Sequence, residues 1–471
     1  MYRKNELIEL NITSLTSDGD GVGRVGELVF FVPNTAVGDT IEARVLKVKK
    51  TYGFAKVERI LTPSADRIEA DCPVSLSCGG CVYRHISYEA ELAAKRQKVV
   101  DAVTRIGKLS GDLVKDIIPS EKISGYRNKA MIPVGLNRKG EVVMGYYARH
   151  SHNIMHCLRC QLSPHIFNDI AEDFYAFLSK RPQLVYTSQN RRGIRHLYLR
   201  YAETTGDVMV CIVAGTRTFS DDDVLYQVLI EKYPQIKSIV VNVNPDETNV
   251  ILGKKSYTVY GDGAITDTLC GLRFEISPPA FYQINRSQAE RLYAKAKEYA
   301  ALTGEESLLD LYCGTGTIGL SMVDRCRELI GVEVIPEAIE NAKANAARNG
   351  ITNARFLCGD ATDAAATLKK EGIDPDVIVV DPPRKGLTPE LIATITEMSP
   401  QKVVYVSCDP ATLARDLKLF TEQNYSVKEI TPVDMFPRTS HVETVCCLYH
   451  QKKEFISVPY EPKDASHLKQ C

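Results

Sequence analysis

From about residue 277 onward, short apolar runs alternate with segments whose apolar residues recur at helical spacing. The apolar runs predict five strands, near 307–312, 328–334, 354–358, 376–381 and 402–407. Regular alternation of strands and helices predicts a doubly wound parallel sheet, which is an α/β fold. Two further apolar runs, at about 426–432 and 442–449, have no helix between them. They predict an antiparallel hairpin at one edge of the sheet.

The chain before this region follows a different pattern. Roughly residues 5–62 contain short strand patterns separated by turns rich in Gly and Asp, which predicts a small OB-like β-barrel. Lys47–Lys50, followed by Tyr52 and Phe54, combine positive charge with aromatic rings, as nucleic-acid-binding barrels do. A solvated strand edge would give the same pattern. Residues 88–107 have helical periodicity and end at a glycine.

These patterns predict three domains and a tail. The predicted divisions are the barrel at 1–62, a mixed α/β central domain at 63–275, a Rossmann-like domain at 276–452 and a tail without an assignable role at 453–471. The helix at 88–107 can pack on the Rossmann-like domain. The central domain carries many Arg and Lys residues near aromatic residues, a density that can bind phosphate groups but is also typical of solvated faces.

Composition narrows the class of protein. The 471 residues carry a net charge of −1, so any contact with nucleic acid must come from a local patch. No apolar run approaches the roughly 20 residues that a membrane helix needs, and the N-terminus lacks the apolar stretch of a signal peptide. We therefore expect a cytoplasmic protein without membrane contact, taken to be a monomer. In that reducing compartment, 14 cysteines point to metal binding or thiol chemistry rather than to disulfides.

Three cysteines, Cys72, Cys78 and Cys81, form a C-x5-C-G-G-C cluster whose glycines allow the loop to fold around an ion. A fourth thiolate can come from Cys157 or Cys160, the next cysteines along the chain. Four thiolates suit tetrahedral zinc or an iron–sulfur cluster. Structural zinc sites usually pair two C-x2–4-C knuckles, and only one knuckle precedes residue 150. This spacing favours the iron–sulfur cluster.

The first strand of the α/β region runs into a glycine-rich turn. Gly314, Gly316 and Gly319 have the G-x-G-x-x-G spacing that lets a backbone approach a nucleotide-type cofactor at a helix N-terminus. Dinucleotide dehydrogenases and S-adenosylmethionine enzymes share this spacing. The reversed final strand favours the methyltransferase sheet, in which Glu333 at the end of the second strand would face ribose and Asp360 at the end of the third would face adenine.

Two further strand ends carry groups suited to methyl transfer. The fourth strand ends in a rigid D-P-P turn at Asp381, and the fifth ends at Cys408. Asp409 is a candidate N-cap with Pro410 at the first helical position, so the helix dipole is expected to favour the Cys408 thiolate. A thiolate can add to C6 of a pyrimidine and so activate C5, after which a base must remove the C5 proton. Glu443, at the start of the last strand, can reach the same face, although each residue alone also fits an ordinary structural position.

The motifs cover nearly the whole chain: C-x5-C-G-G-C, Y-R-N-K, S-P-x-x-F-x-Q-x-N, D-L-Y-C-G-x-G-x-x-G, D-P-P-R-x-G, S-C-x-P-x-T-L-A-R-D and H-V-E-T-V. By these motifs the sequence resembles the RNA uracil-5-methyltransferases, and most of all their ribosomal RNA branch, which carries an N-terminal TRAM barrel and a [4Fe–4S] cluster. The resemblance implies a class I methyltransferase fold, S-adenosyl-L-methionine as cofactor, and methylation at C5 of a uridine in structured RNA, with 23S ribosomal RNA as the first expectation.

The resemblance also implies roles by position, with Cys408 as nucleophile and Glu443 as base. Implied contacts to S-adenosylmethionine fall on Gln283, Tyr312, Thr317, Glu333, Asp360 and Asp381. Implied cluster ligands are Cys72, Cys78, Cys81 and Cys160. RNA contacts fall on Phe281, near a uracil flipped out of its stack, and on Arg127 and Lys129 of the Y-R-N-K motif. The sequence departs from the family pattern at Arg84, where a Gln usually precedes the His.

The sequence leaves other functions open. A tRNA uridine would be methylated by the same chemistry. A 5-methylcytosine RNA methyltransferase also uses a thiol, but such enzymes carry a D-A-P-C type turn where this chain has D-P-P-R. An iron–sulfur, dinucleotide-dependent oxidoreductase would explain the cysteines and the glycine turn, but neither Cys408 nor the terminal hairpin. An inactive RNA-binding assembly factor would transfer no methyl group.

Overall fold

The computed structural model of the protein describes residues 2–451. Its strands form a closed barrel, two seven-stranded sheets and a two-stranded hairpin. The α/β class expected from the sequence is confirmed, because helices alternate with the parallel strands of the second seven-stranded sheet. The predicted tail at 453–471 lies outside the described residues.

The expected N-terminal barrel is confirmed, with the strand order β1-β2-β3-β5-β4. Its strands are β1 (Leu7–Leu15), β2 (Gly21–Val25), β3 (Leu28–Val32), β4 (Thr40–Val48) and β5 (Tyr52–Thr62). Alternate residues point inward, as in β1, where Ile8, Leu10 and Ile12 are buried. The sequence pattern did not predict β2, because its residues, GVGRV, are too short and too rich in glycine to show an apolar alternation.

One helix connects the barrel to the central sheet. This helix, α1, spans Tyr88–Arg105, close to the predicted 88–107. Ser87 caps its N-terminus by accepting a hydrogen bond from the main-chain N–H of Ala90 at 3.2 Å. Its buried residues Val99 and Val103 belong to the hydrophobic core of the C-terminal sheet. The connecting helix therefore packs on the C-terminal part of the chain.

The central sheet has the order β12-β11-β10-β9-β6-β7-β8. Its strands are β6 (Lys129–Leu136), β7 (Val142–Tyr147), β8 (Ile154–His156), β9 (Ile194–Tyr201), β10 (Val208–Ala214), β11 (Ile236–Val243) and β12 (Lys255–Tyr260). Two helices, α2 (His165–Ser179) and α3 (Asp222–Lys232), share one hydrophobic core with this sheet. The hairpin of β13 (Ile265–Leu269) and β14 (Leu272–Ile276) follows.

The C-terminal sheet has the order β17-β16-β15-β18-β19-β21-β20. Its strands are β15 (Ser307–Leu311), β16 (Glu328–Glu333), β17 (Ala354–Cys358), β18 (Val377–Val380), β19 (Lys402–Ser407), β20 (Tyr425–Val433) and β21 (Glu443–His450). The first five are parallel, whereas β21 runs antiparallel to both of its neighbours. Each strand agrees with the sequence prediction to within one residue at either end. The parallel sheet and its antiparallel edge are therefore confirmed.

Helices cover both faces of the C-terminal sheet and fill its two hydrophobic clusters. They are α4 (Arg286–Ala300), α5 (Thr317–Leu320), α6 (Pro336–Arg348), α7 (Ala361–Lys370), α8 (Pro389–Met398) and α9 (Pro410–Thr421). Three of them, α6, α8 and α9, begin with proline, whose fixed φ and missing N–H suit the first helical position. Among the described helices, none is long and apolar enough to cross a membrane.

Buried charges fasten α1 to the loop between β20 and β21. Lys95 Nζ lies 2.7 Å from Glu91 Oε1 on the same helix and 2.6 Å from Asp434 Oδ1 in the loop. Tyr88 Oη donates to the other carboxylate oxygen of Asp434 at 2.7 Å. The main-chain N–H of Arg438 donates to Glu91 Oε1 at 2.6 Å. Since the side chains of Lys95, Glu91 and Asp434 are fully buried, each charge depends on the others for compensation.

Lys95→Met tests this dependence. The substitution keeps most of the side-chain volume but leaves two buried carboxylates without their cation, so it should lower the free energy of unfolding by about 3–5 kcal/mol. Urea unfolding would measure the change. The control is Arg105→Met on the same helix, where the side chain is 77% exposed and its ion pair with Asp101 should contribute less than about 1 kcal/mol. Equal stability of the two variants would contradict the proposed dependence.

Candidate functional site

The glycine turn lies between β15 and α5 at the carboxyl end of the parallel strands. Gly314 and Gly316 have φ angles of +55° and +83°, in the left-handed region that favours glycine. A Cβ atom added at Gly319 would lie 2.7 Å from Oδ2 of Asp310, so a larger residue would collide with the end of the strand. The predicted strand, glycine turn and helix are confirmed.

Asp310 holds this turn in place, a role that the sequence reasoning missed because it treated the residue only as the end of a strand. Its Oδ2 accepts a hydrogen bond from the main-chain N–H of Gly319 at 2.9 Å. Its Oδ1 is buried without a partner. Burial raises the pKa of Asp310 to about 8, and the nearby charges of Asp381 and Glu333 raise it further, against the effect of the Gly319 hydrogen bond.

Three of the predicted cofactor residues surround the same turn. Glu333 Oε2 accepts from the main-chain N–H of Gly314 at 3.2 Å, so this carboxylate lies against the glycine turn. Asp360 caps α7 by accepting from the main-chain N–H of Thr362 at 2.8 Å. Tyr312 has a φ of +66°, which is strained for a residue with a side chain, and burial raises its pKa to about 12.

A buried tyrosine links two more of the predicted cofactor residues. The hydroxyl of Tyr293, on α4, lies 3.0 Å from Thr317 Oγ1, and the side chain of Gln283 also bonds to it. Phe281, in the same loop as Gln283, is 56% exposed, and its main-chain oxygen lies 3.5 Å from Thr315 Oγ1 of the glycine turn. Sequence reasoning missed Tyr293, although helical periodicity could have assigned it to the buried face of α4.

The register of β19 and β21 brings Cys408 and Glu443 to the same edge of the sheet. Ser407 pairs with Thr444, and Thr444 Oγ1 donates to the main-chain oxygen of Ser407 at 3.1 Å. The next residue of the first strand is Cys408, and the preceding residue of the second is Glu443. Because the two strands are antiparallel, these two residues lie opposite each other. The charge of Glu443 contributes to the pKa of Cys408, which agrees with this proximity.

Three groups at this edge of the sheet titrate far from their usual ranges. Burial raises the pKa of Glu443 to about 8 and that of Asp381 to about 7. Burial also raises the pKa of the Cys408 thiol to about 11, and the charges of Glu443 and Asp381 add to the effect. The guanidinium of Arg384 opposes these shifts at both Cys408 and Glu443. The site therefore combines a protonated thiol with carboxyl groups of raised proton affinity.

The expectation that the helix dipole favours the Cys408 thiolate was wrong. The helix begins at Pro410 as predicted, but the carboxylate of Asp409 accepts hydrogen bonds from the main-chain N–H groups of Ala411 and Thr412 at 2.9 and 3.1 Å. These N–H groups are therefore directed to Asp409 rather than to the sulfur. Burial and the nearby acids outweigh what remains of the dipole.

The cysteines of the predicted cluster come from two segments that touch. The main-chain N–H of Gly79 donates to the main-chain oxygen of Tyr147 at 3.1 Å, joining the first cysteine loop to the strand that pairs with β8. Burial raises the pKa of Cys157 to about 11, and so do the neighbouring thiols of Cys160, Cys72 and Cys78. Within residues 2–451, however, no group of three or more His, Cys, Asp or Glu side chains is arranged to hold a metal ion.

The Y-R-N-K motif lies where the central sheet meets the loop that carries Phe281. Lys129 opens β6 and pairs with Arg200 of β9. Asn128 Nδ2 donates to the main-chain oxygen of Gln283 at 2.8 Å. The pKa of Lys129 is lowered to about 8 by burial and by the charges of Arg200 and Arg127. The motif therefore sets a cluster of cations directly behind this loop.

Comparison with known proteins identifies the family. The family model described as tRNA (Uracil-5-)-methyltransferase matches residues 265–452, and the TRAM domain model matches residues 3–57. A Halalkalibacterium halodurans protein named an uncharacterized RNA methyltransferase is 41% identical over 446 residues, covering 94% of this chain and 97% of that protein. The chain belongs to the RNA uracil-5-methyltransferase family. A Listeria monocytogenes protein with the same kind of name is 42% identical over 450 residues, covering 95% and 99% of the two chains.

A solved structure supports the same relationship across the whole chain. The crystal structure of Pyrococcus abyssi tRNA (uracil-54, C5)-methyltransferase in complex with S-adenosyl-L-homocysteine has a TM-score of 0.74 and 28% identity, covering 93% of this chain and 99% of that one. This member of the RNA uracil-5-methyltransferase family is thus an S-adenosylmethionine-dependent RNA methyltransferase with a class I α/β sheet and a TRAM barrel. The expectations of fold, enzyme class and methyl donor are confirmed.

Asp310→Asn should change how stability depends on pH. A carboxyl group with a raised pKa stabilises the fold fully below its unfolded pKa of about 4, and this contribution is lost as pH rises toward the folded value. The folded pKa is about 8, so the free energy of unfolding of the wild type, relative to Asp310→Asn, should fall by up to about 1.4 kcal/mol per pH unit between those limits.

Urea unfolding at several pH values would measure this difference. The control is Asp374→Asn, because Asp374 is exposed and its substitution should give a difference that does not depend on pH. A pH-independent difference for Asp310→Asn as well would show that Asp310 is ionised in the folded protein near its ordinary pKa.

Proposed function

We propose that the protein methylates C5 of a uridine in 23S ribosomal RNA through a covalent bond between Cys408 and C6, with Glu443 as the base. The observation that carries this proposal is the antiparallel register of β19 and β21, which sets Cys408 opposite Glu443 at the carboxyl edge of the sheet. The glycine turn follows β15 at the same edge. Nucleophile, base and methyl donor can therefore meet at one point.

The residues around the glycine turn fit S-adenosylmethionine. A Cβ atom added at Gly314 would meet nothing within 4 Å, so the turn has open space beside it for a ligand. Glu333 lies against this turn with a carboxylate that can accept hydrogen bonds from the two ribose hydroxyls. The residues proposed to hold the cofactor are Gln283, Tyr312, Thr317, Glu333, Asp360 and Asp381. When bound, the cofactor supplies the methyl group.

The side chains then divide the reaction between them. The sulfur of Cys408 forms a bond to C6 of the uracil, and the electron pair of the C5–C6 double bond moves onto the ring carbonyl as an enolate. C5 uses this electron pair to form its bond to the methyl group. Glu443 then takes the proton from C5, the C5–C6 double bond forms again, and the bond between C6 and sulfur breaks.

The raised pKa of Glu443 supports its role as the base. A carboxylate whose pKa is about 8 holds a proton more tightly than an ordinary glutamate, so it removes a carbon-bound proton more readily once it is ionised. Its burial also shields it from water. The negative charge of Asp381 contributes to the raised pKa, which gives Asp381 an indirect part in this step.

The RNA is proposed to contact all three parts of the chain. We retain the divisions 1–62, 63–275 and 276–452 as domains, with the barrel and the central domain binding the RNA of a monomeric enzyme. Phe281, which is exposed above the cofactor turn, is proposed to contact the flipped uracil, and Arg127 and Lys129 are proposed to contact the RNA. A tRNA substrate is the second candidate, because the similar Pyrococcus abyssi enzyme is a tRNA (uracil-54, C5)-methyltransferase.

Cys408→Ala and Glu443→Gln should fail at different steps. Cys408→Ala should form neither 5-methyluridine nor a complex with RNA that survives denaturant. Glu443→Gln should still bond to C6 and methylate C5, then stall with enzyme and RNA joined, and lose about 10²–10⁴-fold in turnover. Transcripts of 23S ribosomal RNA and of tRNA, mass spectrometry and denaturing gels would distinguish these outcomes and identify the substrate.

Matched controls are available for both substitutions. Cys270→Ala removes another half-buried thiol, and Glu429→Gln removes a partly exposed carboxylate on β20, and neither should reduce turnover. If Glu443→Gln turned over at the wild-type rate, the base would be misassigned. A stalled complex that persisted after Cys408 was also replaced would exclude Cys408 as the nucleophile.

We further propose that Cys72, Cys78, Cys81 and Cys160 hold a [4Fe–4S] cluster. The donor set of soft thiolates suits iron–sulfur chemistry. The contact between the two cysteine segments and the mutual effect of the thiols on their pKa values support this assignment. The charge of Cys160 raises the pKa of both Cys78 and Cys81, whereas Cys157 is not among the causes given for either. This difference favours Cys160 as the fourth ligand.

Protein purified without oxygen should contain about four irons per chain. Cys160→Ser should lose the iron, whereas Cys157→Ser should keep it, and iron analysis with visible absorbance would measure both. The reverse pattern would move the fourth ligand to Cys157. Stoichiometric zinc in place of iron would overturn the cluster assignment.

A further inference from the structure

Three cations lie close together at the junction of β6 and β9. Lys129 is directly opposite Arg200 in the register of the two strands, and Arg127 lies two residues before Lys129. The charges of both arginines act on Lys129, which shows that the three groups share one region. Among the ion pairs of residues 2–451, none joins any of these three cations to a carboxylate. The cluster therefore has an uncompensated positive charge.

Two of these cations have buried N–H groups without a partner. Arg200 is only 2% exposed, and its Nη2 donates to the main-chain oxygens of Pro278 and Ala280. Its Nε and Nη1 are buried and unpaired, as is Nε of Arg127. Burying a cation without an anion is costly, so such a cluster is expected to be completed by a negatively charged ligand.

The position of the cluster indicates which anion it can receive. The loop between β14 and α4 lies between the cluster and the cofactor turn. On one side, its main-chain oxygens at Ala280 and Gln283 accept hydrogen bonds from Arg200 and Asn128. On the other side, the main-chain oxygen of Phe281 lies 3.5 Å from Thr315 of the turn. The anion is therefore not the carboxylate of the cofactor but a group on the RNA side of the loop.

We propose that Arg127, Lys129 and Arg200 form a subsite for one phosphate group of the RNA strand that carries the target nucleotide. This inference rests on the proposed function, and it adds Arg200 and a defined ligand group to it. Lys129 and Arg127 are partly exposed and contact the phosphate, whereas Arg200 lies behind them and strengthens the positive field. Arginine and lysine are the side chains best suited to phosphate oxygens.

The subsite also fixes the path of the RNA. Phe281 is exposed on the loop that these cations support from behind. A phosphate held at the cluster would leave its nucleotide close to this aromatic ring, where a base can stack. The backbone would then be held at the central sheet while the base enters the C-terminal sheet.

The salt dependence of RNA binding tests the subsite without requiring turnover. The probe is a fluorescently labelled decauridylate, and its affinity would be measured by anisotropy over a series of KCl concentrations. Each lost phosphate contact on a single strand reduces the slope of log K against log salt by about 0.7. Lys129→Gln should weaken binding and reduce the slope by this amount, whereas Lys129→Arg, which keeps the charge, should restore it.

The control is Lys122→Gln, seven residues earlier, because Lys122 is 54% exposed and already paired with Glu203. Its slope should equal that of the wild type. Arg200→Gln should reduce the slope in the same direction, but Lys129→Gln is the deciding variant because Arg200 also supports the loop. Binding of S-adenosyl-L-homocysteine, measured by calorimetry, should be unchanged in Lys129→Gln.

Two results would overturn the subsite. An unchanged slope with weaker binding would mean that Lys129 acts only on structure. A loss of S-adenosyl-L-homocysteine affinity with an unchanged slope would mean that the anion is the carboxylate of the cofactor. Neither result concerns methyl transfer, so failure of the subsite remains distinct from failure of the proposed function, which would appear as the absence of 5-methyluridine.

Discussion

The buried charges around Lys95 join parts of the chain that are far apart in sequence. They connect the helix after the barrel to the loop before β21, and the hydroxyl of Tyr126, just before β6, donates to the main-chain oxygen of Pro437 in the same loop at 2.9 Å. Isolated buried charges are unstable, so this group of side chains is favourable only when all its members are in place. The loop that leads into Glu443 is therefore held from two sides. The position of the proposed base depends on the docking of both the connecting helix and the central sheet.

The C-terminal sheet then determines the chemistry. Asp310, Asp381 and Glu443 lie at or near the carboxyl ends of its parallel strands and the start of the antiparallel one, and burial raises the pKa of each. Charges of the same sign in one pocket disfavour simultaneous ionisation, so a proton on one acid makes ionisation of its neighbour easier. Such coupling suits a site in which a thiol must lose a proton and a carboxylate must later gain one.

Much of the fold could be predicted from the sequence, because the strands of the C-terminal sheet are short, apolar and separated by helices. The site was less accessible. A lysine is usually exposed, so periodicity gave no reason to expect Lys95 at zero exposure between two acids. The motif around Cys408 predicted the helix start but not its electrostatics, because capping by Asp409 and burial depend on atoms brought together by folding. Tyr293 and Arg200 were missed because their partners, Thr317 and the loop at 278–280, are distant in sequence.

The net charge of −1 conceals a separation of charge that bears on how RNA can bind. Acids with raised pKa values occupy the edge of the C-terminal sheet, whereas Arg127, Lys129 and Arg200 occupy the junction with the central sheet. A phosphate is repelled by the first region and attracted by the second, while an uncharged uracil is not repelled by either. On the proposed function, this separation favours one arrangement of the substrate. The backbone stays at the cations, and only the base crosses the loop of Phe281 toward Cys408, which is the orientation that places C6 rather than a phosphate beside the thiol.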